Sequence, residues 1–208
     1  MDPFAIDEPP EPQQDELWLI SYADLLTLLV GFFVLIIASM PLKMARFERV
    51  AAAISGSKEA PLQDLREKVD SLVARSPELR DQVITHDDAE GLGIEFKDAM
   101  LFDSGSAEIN VGGKAAVAQV AKLIHDLPGR PITIEGHTDD VPIATPQFRS
   151  NWELSSQRAI NVLSALEASG VERERMSARA YADTHALSKE GSVEDRRTAN
   201  RRVVIRVE

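Results

Sequence analysis

The sequence predicts an α/β protein built as a single N-terminal transmembrane helix, a helical linker and a C-terminal α/β sandwich domain. Three observations carry that expectation. The run Leu17 to Met40 is apolar apart from one carboxylate. Residues 57–90 show apolar positions at helical spacing. From Gly91 onward, strand-like stretches alternate with helix-like ones over about 118 residues, which is the pattern and size of a compact α/β domain. The 208 residues are 44% hydrophobic and 27% charged, a composition that folds rather than stays disordered. A net charge of -11 argues against nucleic acid as a partner, since phosphate binding needs a basic face. Cysteine is absent, which excludes disulfides, thiol chemistry and cysteine-ligated metals.

Taken in order, residues 1–16 are acidic and proline-rich and read as a disordered tail. Residues 17–40 form the membrane helix; at about 1.5 Å per residue they reach roughly 36 Å, enough to cross a hydrocarbon core about 30 Å thick. The leader has no Lys or Arg and no small-residue cleavage pattern follows, so the run reads as a retained anchor. Trp18 suits the interface at its start and Pro41 marks its end. In residues 41–56, Met44, Phe47, Val50 and Ile54 recur at helical spacing and predict a short amphipathic helix at the membrane surface. Pro61 opens a second helix with the stripe Leu62, Leu65, Val69, Leu72 and Val73, able to pair with its copy or to pack on the domain. Pro77 ends it, and the turn cluster at 86–91 is the expected domain boundary.

Within 91–208, GIEFKDAMLF reads as one or two strands, NVGGKAAVAQVAKLIHDL as a helix and RPITIEGH as a strand. NWELSSQRAINVLSALEASG is a helix ended by Gly170, MSARAYA a strand, EDRRTAN a short helix and RRVVIRV a last strand. No nucleophile–base pair, phosphate loop or zinc spacing appears, so no covalent chemistry is expected and no cofactor or metal is implied. His137 lacks a second ligand at zinc spacing and reads as structural.

Asp24 is the sharpest single signal. A carboxylate within a span costs roughly 2.5 to 3.5 kcal/mol on insertion scales and points to function. Asp24, Thr27 and Gly31 follow i, i+3, i+7 spacing with Ser21 one turn before, so small and polar groups share one face. Burial raises a carboxylate's pKa, so such a site can take up and release a proton near neutrality. One helix makes no ion path alone; partner helices are required.

The segment WLISYADLLTLLVGFFVLIIAS resembles the membrane helix of MotB-type flagellar stator subunits (the MotB/PomB family), with its Tyr-Ala-Asp core. The stretches LFDSGSAEI (101–109), IEGHTDDVPI (134–143), SNWELSSQRA (150–159) and ANRRVVIRV (199–207) resemble the OmpA-like peptidoglycan-binding domain. The resemblance implies that Asp24 carries the ion, with Ser21 and Thr27 beside its path. It implies that Asp139 and Arg158 hold the diaminopimelate of the stem peptide, with Thr138, Asn151, Leu154 and Ser155 on the same motifs. A zwitterionic amino acid needs a carboxylate for its ammonium and a guanidinium for its carboxylate. Asp140 beside Asp139 is an alternative ligand, and Arg158 has a purely local pairing as its alternative. Residues 41–56 match the family's plug. The basic run Arg196, Arg197, Arg201, Arg202 and Arg206 reads as salt-bridging rather than polyanion-binding.

A homodimer with a MotA-like multi-span partner is implied, in the bacterial inner membrane, with the N-terminus cytoplasmic and the C-terminal domain periplasmic. Lys43, Arg46 and Arg49 by themselves would place the large domain in the cytoplasm; the location of peptidoglycan overrides them. Either H+ or Na+ is compatible, with Tyr-Ala-Asp favouring H+. Alternatives are a related non-flagellar motor, such as a Zorya-type defence or gliding system, and a passive wall tether.

Overall fold

A computed structural model describes residues 17–39, 61–127, 129–187 and 191–208. The acidic tail and the plug-like segment fall outside the described residues. The chain divides into two units, 1–42 and 43–208.

The first unit is helix α1 (Leu17–Ser39). Its Trp18–Ala38 stretch is long and apolar enough to cross a membrane, with a mean hydropathy of 2.3. Aliphatic and aromatic side chains stand exposed on all sides of it, as expected where lipid or other helices, rather than this chain, supply the apolar surroundings.

The second unit is a five-stranded sheet with helices on one face. In chain order its elements are α2 (Pro61–Arg75), β1 (Val83–Asp87), β2 (Leu92–Lys97), the single turn α3 (Asp98–Leu101) and α4 (Val111–His125). There follow β3 (Ile132–His137), α5 (Asn151–Ala168), β4 (Met176–Ala182), α6 (Val193–Asn200) and β5 (Arg202–Val207). The strand order is β1-β2-β5-β3-β4. Only β3 and β4 run parallel, with α5 as their crossover; the remaining pairs are antiparallel.

Alternation along each strand sorts side chains between faces. Ile94 and Phe96 of β2, Val203 and Ile205 of β5 and Ile132 and Ile134 of β3 face the helices and form the core with Val117, Val120 and Ile124 of α4 and Val162 and Leu166 of α5. Glu95, Glu135, Arg202 and Arg206 occupy the alternate positions and are also buried.

Two expectations change. The segment 57–90 does not stand apart as a helical linker. Leu65 and Val69 of α2 are fully buried in the core, with Leu62, Leu72 and Val73 packed against it. Residues 83–87 then add the edge strand, Val83 opposite Phe96 and Asp87 opposite Leu92. The expected boundary at 86–91 is therefore a hairpin turn, closed by the Asp88 N–H donating to the Gly91 carbonyl. Of the one or two strands expected in GIEFKDAMLF the structure forms one, followed by the turn α3, with an isolated bridge between Phe102 and Ile109 beyond it.

The caps are local and readable. Asn110 Oδ1 accepts from Gly113 N at 2.7 Å to start α4, and Ser150 Oγ accepts from Glu153 N to start α5. Gly170, at φ +98°, ends α5 in the left-handed region.

Candidate functional site

Three pieces of chain meet beyond the C-terminal end of β3. The strand delivers Thr138 and Asp139, the first turns of α5 deliver Asn151, Leu154 and Arg158, and α3 with its following loop delivers Asp98, Phe102 and Asp103. Together they line a cavity of about 610 Å³. Of the six contact residues expected from sequence, five line it. Ser155 does not: it is fully buried, and its hydroxyl donates to the Trp152 carbonyl at 3.1 Å.

The close approach of β3 to α5 is made by Gly136, where a Cβ would stand 2.1 Å from the Ser155 carbonyl oxygen. This contact brings the start of α5 against the end of β3. Asn151 then bridges to the loop, its Nδ2 donating to the carbonyls of Asp139 at 3.2 Å and Val141 at 3.0 Å. The Thr138 N–H donates to the Ala182 carbonyl and holds the strand end in place.

Arg158 is 2% exposed, and two contacts fix its guanidinium. Nη1 lies 2.8 Å from Asp98 Oδ1 and Nε donates to the Ser106 carbonyl at 2.9 Å. The Phe102 ring sits beneath it, 4.9 Å from the guanidinium carbon. Among the described residues no hydrogen bond uses Nη2, which leaves two donors for a ligand. Burial pushes the Asp98 carboxyl up, against the pull of Arg158, and burial equally pushes Arg158 down, against Asp98.

Asp139 accepts from Arg201 Nη1 at 2.7 Å and from Val141 N at 3.2 Å. Asp140, the alternative ligand, is exposed, does not line the cavity and pairs with Arg197 at 2.7 Å. The cavity thus combines fixed donors on Arg158 with a part-buried carboxylate on Asp139. That arrangement can hold a carboxylate and an ammonium of one ligand at once.

Asp98 and Phe102 were not among the expected site residues. Asp98 sits in a stretch whose pattern reads as strand, and only the single turn α3 aims it at Arg158. Arg201 was expected to form a salt bridge, and it does so with Asp139 inside the site.

In the apolar helix, Ser21, Asp24 and Thr27 are all exposed along α1. Thr27 Oγ1 donates to the Asp24 carbonyl at 2.8 Å, so its proton is committed to the helix and its lone pairs remain outward.

Comparisons with known proteins converge. The family model described as "OmpA family" matches residues 101–201, and the model described as "Membrane MotB of proton-channel complex MotA/MotB" matches residues 6–57. Motility protein B of Bacillus subtilis is 27% identical, over 92% of this chain and 90% of that protein. Motility protein B of Helicobacter pylori is 26% identical, over 93% and 86%. Among solved structures, a putative MotB-like protein from Desulfovibrio vulgaris is similar, with a TM-score of 0.64 and 25% identity over 71% of this chain and 90% of that one. The periplasmic domain of Helicobacter pylori MotB gives a TM-score of 0.55 and 29% identity over 61% and 78%. The cell wall anchor of the type VI secretion system from Pseudomonas aeruginosa gives 0.59 and 29% over 66% and 94%.

Proposed function

The chain belongs to the MotB family, and on that premise we propose that it is the wall-anchored B-subunit of an ion-driven stator, most naturally that of a flagellar motor. In this reading Asp24 binds and releases the transported ion within the bilayer, beside a MotA-like multi-span partner. The C-terminal domain lies in the periplasm and grips the diaminopimelate stem peptide of peptidoglycan. In this reading two copies pair, as the family resemblance implies.

The observation that carries the reading is the cavity in which Asp139 and Arg158 face one ligand space. The stem's zwitterionic centre places its ammonium on Asp139 and its carboxylate on Arg158 Nη2. The Thr27 contact supports the other end: a hydroxyl whose proton is tied to the Asp24 backbone carbonyl keeps its oxygen lone pairs free, one turn along from the aspartate. One charge crossing 100 mV is worth about 2.3 kcal/mol, which is the driving force available to each ion step. H+ is the proposed ion; the exposed Ser21 and Thr27 hydroxyls keep Na+ as the test's other outcome. A passive tether would use the same cavity, but it gives a carboxylate inside a 23-residue apolar helix no task.

Retention on purified sacculi tests the anchoring. Full-length chain in detergent should sediment with sacculi, and Asp139→Asn should lose that retention by about tenfold or more while still inserting into membranes. Undiminished sedimentation of the variant would reject the site.

A further inference from the structure

Each of the two groups that face the ligand space already has a partner of opposite charge. Asp139 is paired with Arg201 at 2.7 Å, and Arg158 with Asp98 at 2.8 Å. The surroundings of the two pairs differ. The Arg201 side chain is 32% exposed, so water screens it from an ammonium arriving at Asp139. The Arg158 and Asp98 side chains are only 3% and 11% exposed. A carboxylate arriving at Arg158 Nη2 therefore finds a second carboxylate across the same buried guanidinium.

Neither member of that pair is free to turn aside. Arg158 is pinned by its Nε on the Ser106 carbonyl and by the Phe102 ring. Asp98 is pinned by its own N–H, which donates to the Arg201 carbonyl at 3.0 Å, and by the Phe102 N–H, which donates to the Asp98 carbonyl at 2.9 Å. Asp98 Oδ1 is buried and lies outside hydrogen-bond geometry with Arg158, so charge alone favours its ionised form. Arg158 from α5, Arg201 from just before β5 and Asp139 from the end of β3 are the charged groups that act on it. Asp103 lines the same cavity, Lys97 precedes Asp98 in the chain, and α4 meets α3 at the uncharged Gly113. Two like charges on one buried guanidinium favour protonation of one of them. A guanidinium does not release its proton, and an α-carboxyl is more acidic than a side-chain carboxyl. The proton therefore belongs on Asp98.

We propose that Asp98 is a positioning residue for Arg158, and that binding of the stem carboxylate is coupled to uptake of one proton at Asp98. It rests on the wall-anchoring reading above and adds a regulation of the same site. The proton comes from solvent through the cavity, which Asp98 lines, and forms one O–H bond on its carboxyl. Neutral Asp98 leaves the charge of Arg158 to the ligand. Burial already pushes the Asp98 carboxyl above its ordinary 3.8 in the free chain, and the second carboxylate pushes it higher in the complex. Uptake falls between those two midpoints. Binding therefore tightens as pH falls through that window, by at most about tenfold per pH unit. Asp139 acts in the opposite sense, since it must be ionised to hold the ammonium.

The test is calorimetric titration of the full-length chain in detergent with a diaminopimelate stem tripeptide, from about pH 4 to about pH 8. At each pH two buffers of different ionisation enthalpy are used, and the difference in heat counts the protons exchanged. The inference expects net uptake, with a maximum between about half a proton and one. Asp98→Asn should bind with no uptake and lose the tightening toward low pH. Carboxyl-carbon NMR of the unaltered chain reads the same event without a variant: the Asp98 midpoint should rise when the tripeptide saturates the site. Zero uptake at every pH, release in place of uptake, uptake retained in Asp98→Asn, or an unmoved Asp98 midpoint would overturn the linkage and leave the wall-anchoring reading standing. Failure of the tripeptide to bind at all would overturn that reading, and this inference with it.

Discussion

At the scale of single residues, the candidate site depends on a buried ion pair whose members cannot be removed one at a time. Arg158 is 2% exposed and Asp98 is 8% exposed, so truncating either leaves the other buried without its partner. Such a loss costs about 3–5 kcal/mol, whereas replacing both members costs much less. We therefore expect Arg158→Ala to lower the unfolding free energy by that amount, and Asp98→Asn combined with Arg158→Gln to recover most of it. Denaturant titration of the three proteins checks this; equal stability of Arg158→Ala and the parent would contradict the pairing. The same pair explains why loss of wall binding in Arg158→Ala is not by itself evidence of ligand contact, and why Asp139→Asn is the cleaner probe. Arg158 and Asp139 were readable because they lie on short motifs with a recognisable order. Asp98 was not. Its role depends on α3 being one turn long and on a partner 60 positions away, neither of which leaves a local pattern.

At the scale of elements, the decisive contact is β3 against α5. Gly136 lets the strand approach the Ser155 carbonyl so closely that any side chain there would force α5 outward. We expect Gly136→Ala to cost about 1–3 kcal/mol. Because Asn151, Leu154 and Arg158 ride on α5 while Thr138 and Asp139 ride on β3, it should also weaken retention on sacculi. Sedimentation beside a thermal melt measures both; unchanged retention with lowered stability would show that the site tolerates the shift. Most elements were legible from their periodicity and from local ends such as Gly170 after α5. The segment 83–87 was not read as a strand. Its alternation spans only five residues and runs into the acidic turn at 86–91, and it becomes a strand by pairing with β2. The stripe on α2 was visible, but its choice of partner was not: the same apolar face serves a second chain or the domain core. Burial of Leu65 and Val69 settles it for the core.

At the scale of the whole molecule, the C-terminal unit should be acid-sensitive for a definite reason. Burial works to raise the Glu135 carboxyl, but the Arg206 guanidinium, which donates to both of its oxygens, holds it down at about 2, from an ordinary 4.5. A carboxyl lowered in the folded state contributes stability that is present above pH 4.5 and is lost as pH falls toward 2. The loss is at most about 3 kcal/mol for this group. Asp88, lowered despite partial burial by the same Arg206, adds to it. Asp98 and Glu95, raised by burial, act in the opposite sense and offset part of the loss. Glu135→Gln should flatten the pH dependence of unfolding between 4.5 and 2, and an unaltered slope would show that the pair is not its source. Function joins this unit to the apolar helix through one chain, so the central claim concerns Asp24. The most direct measurement is ion flux through the chain co-expressed with its multi-span partner, comparing the parent with Asp24→Asn at matched membrane level and matched retention on sacculi. The account predicts that the variant stays in the membrane, keeps its hold on the wall and conducts nothing above background. Flux equal to that of the parent would contradict it.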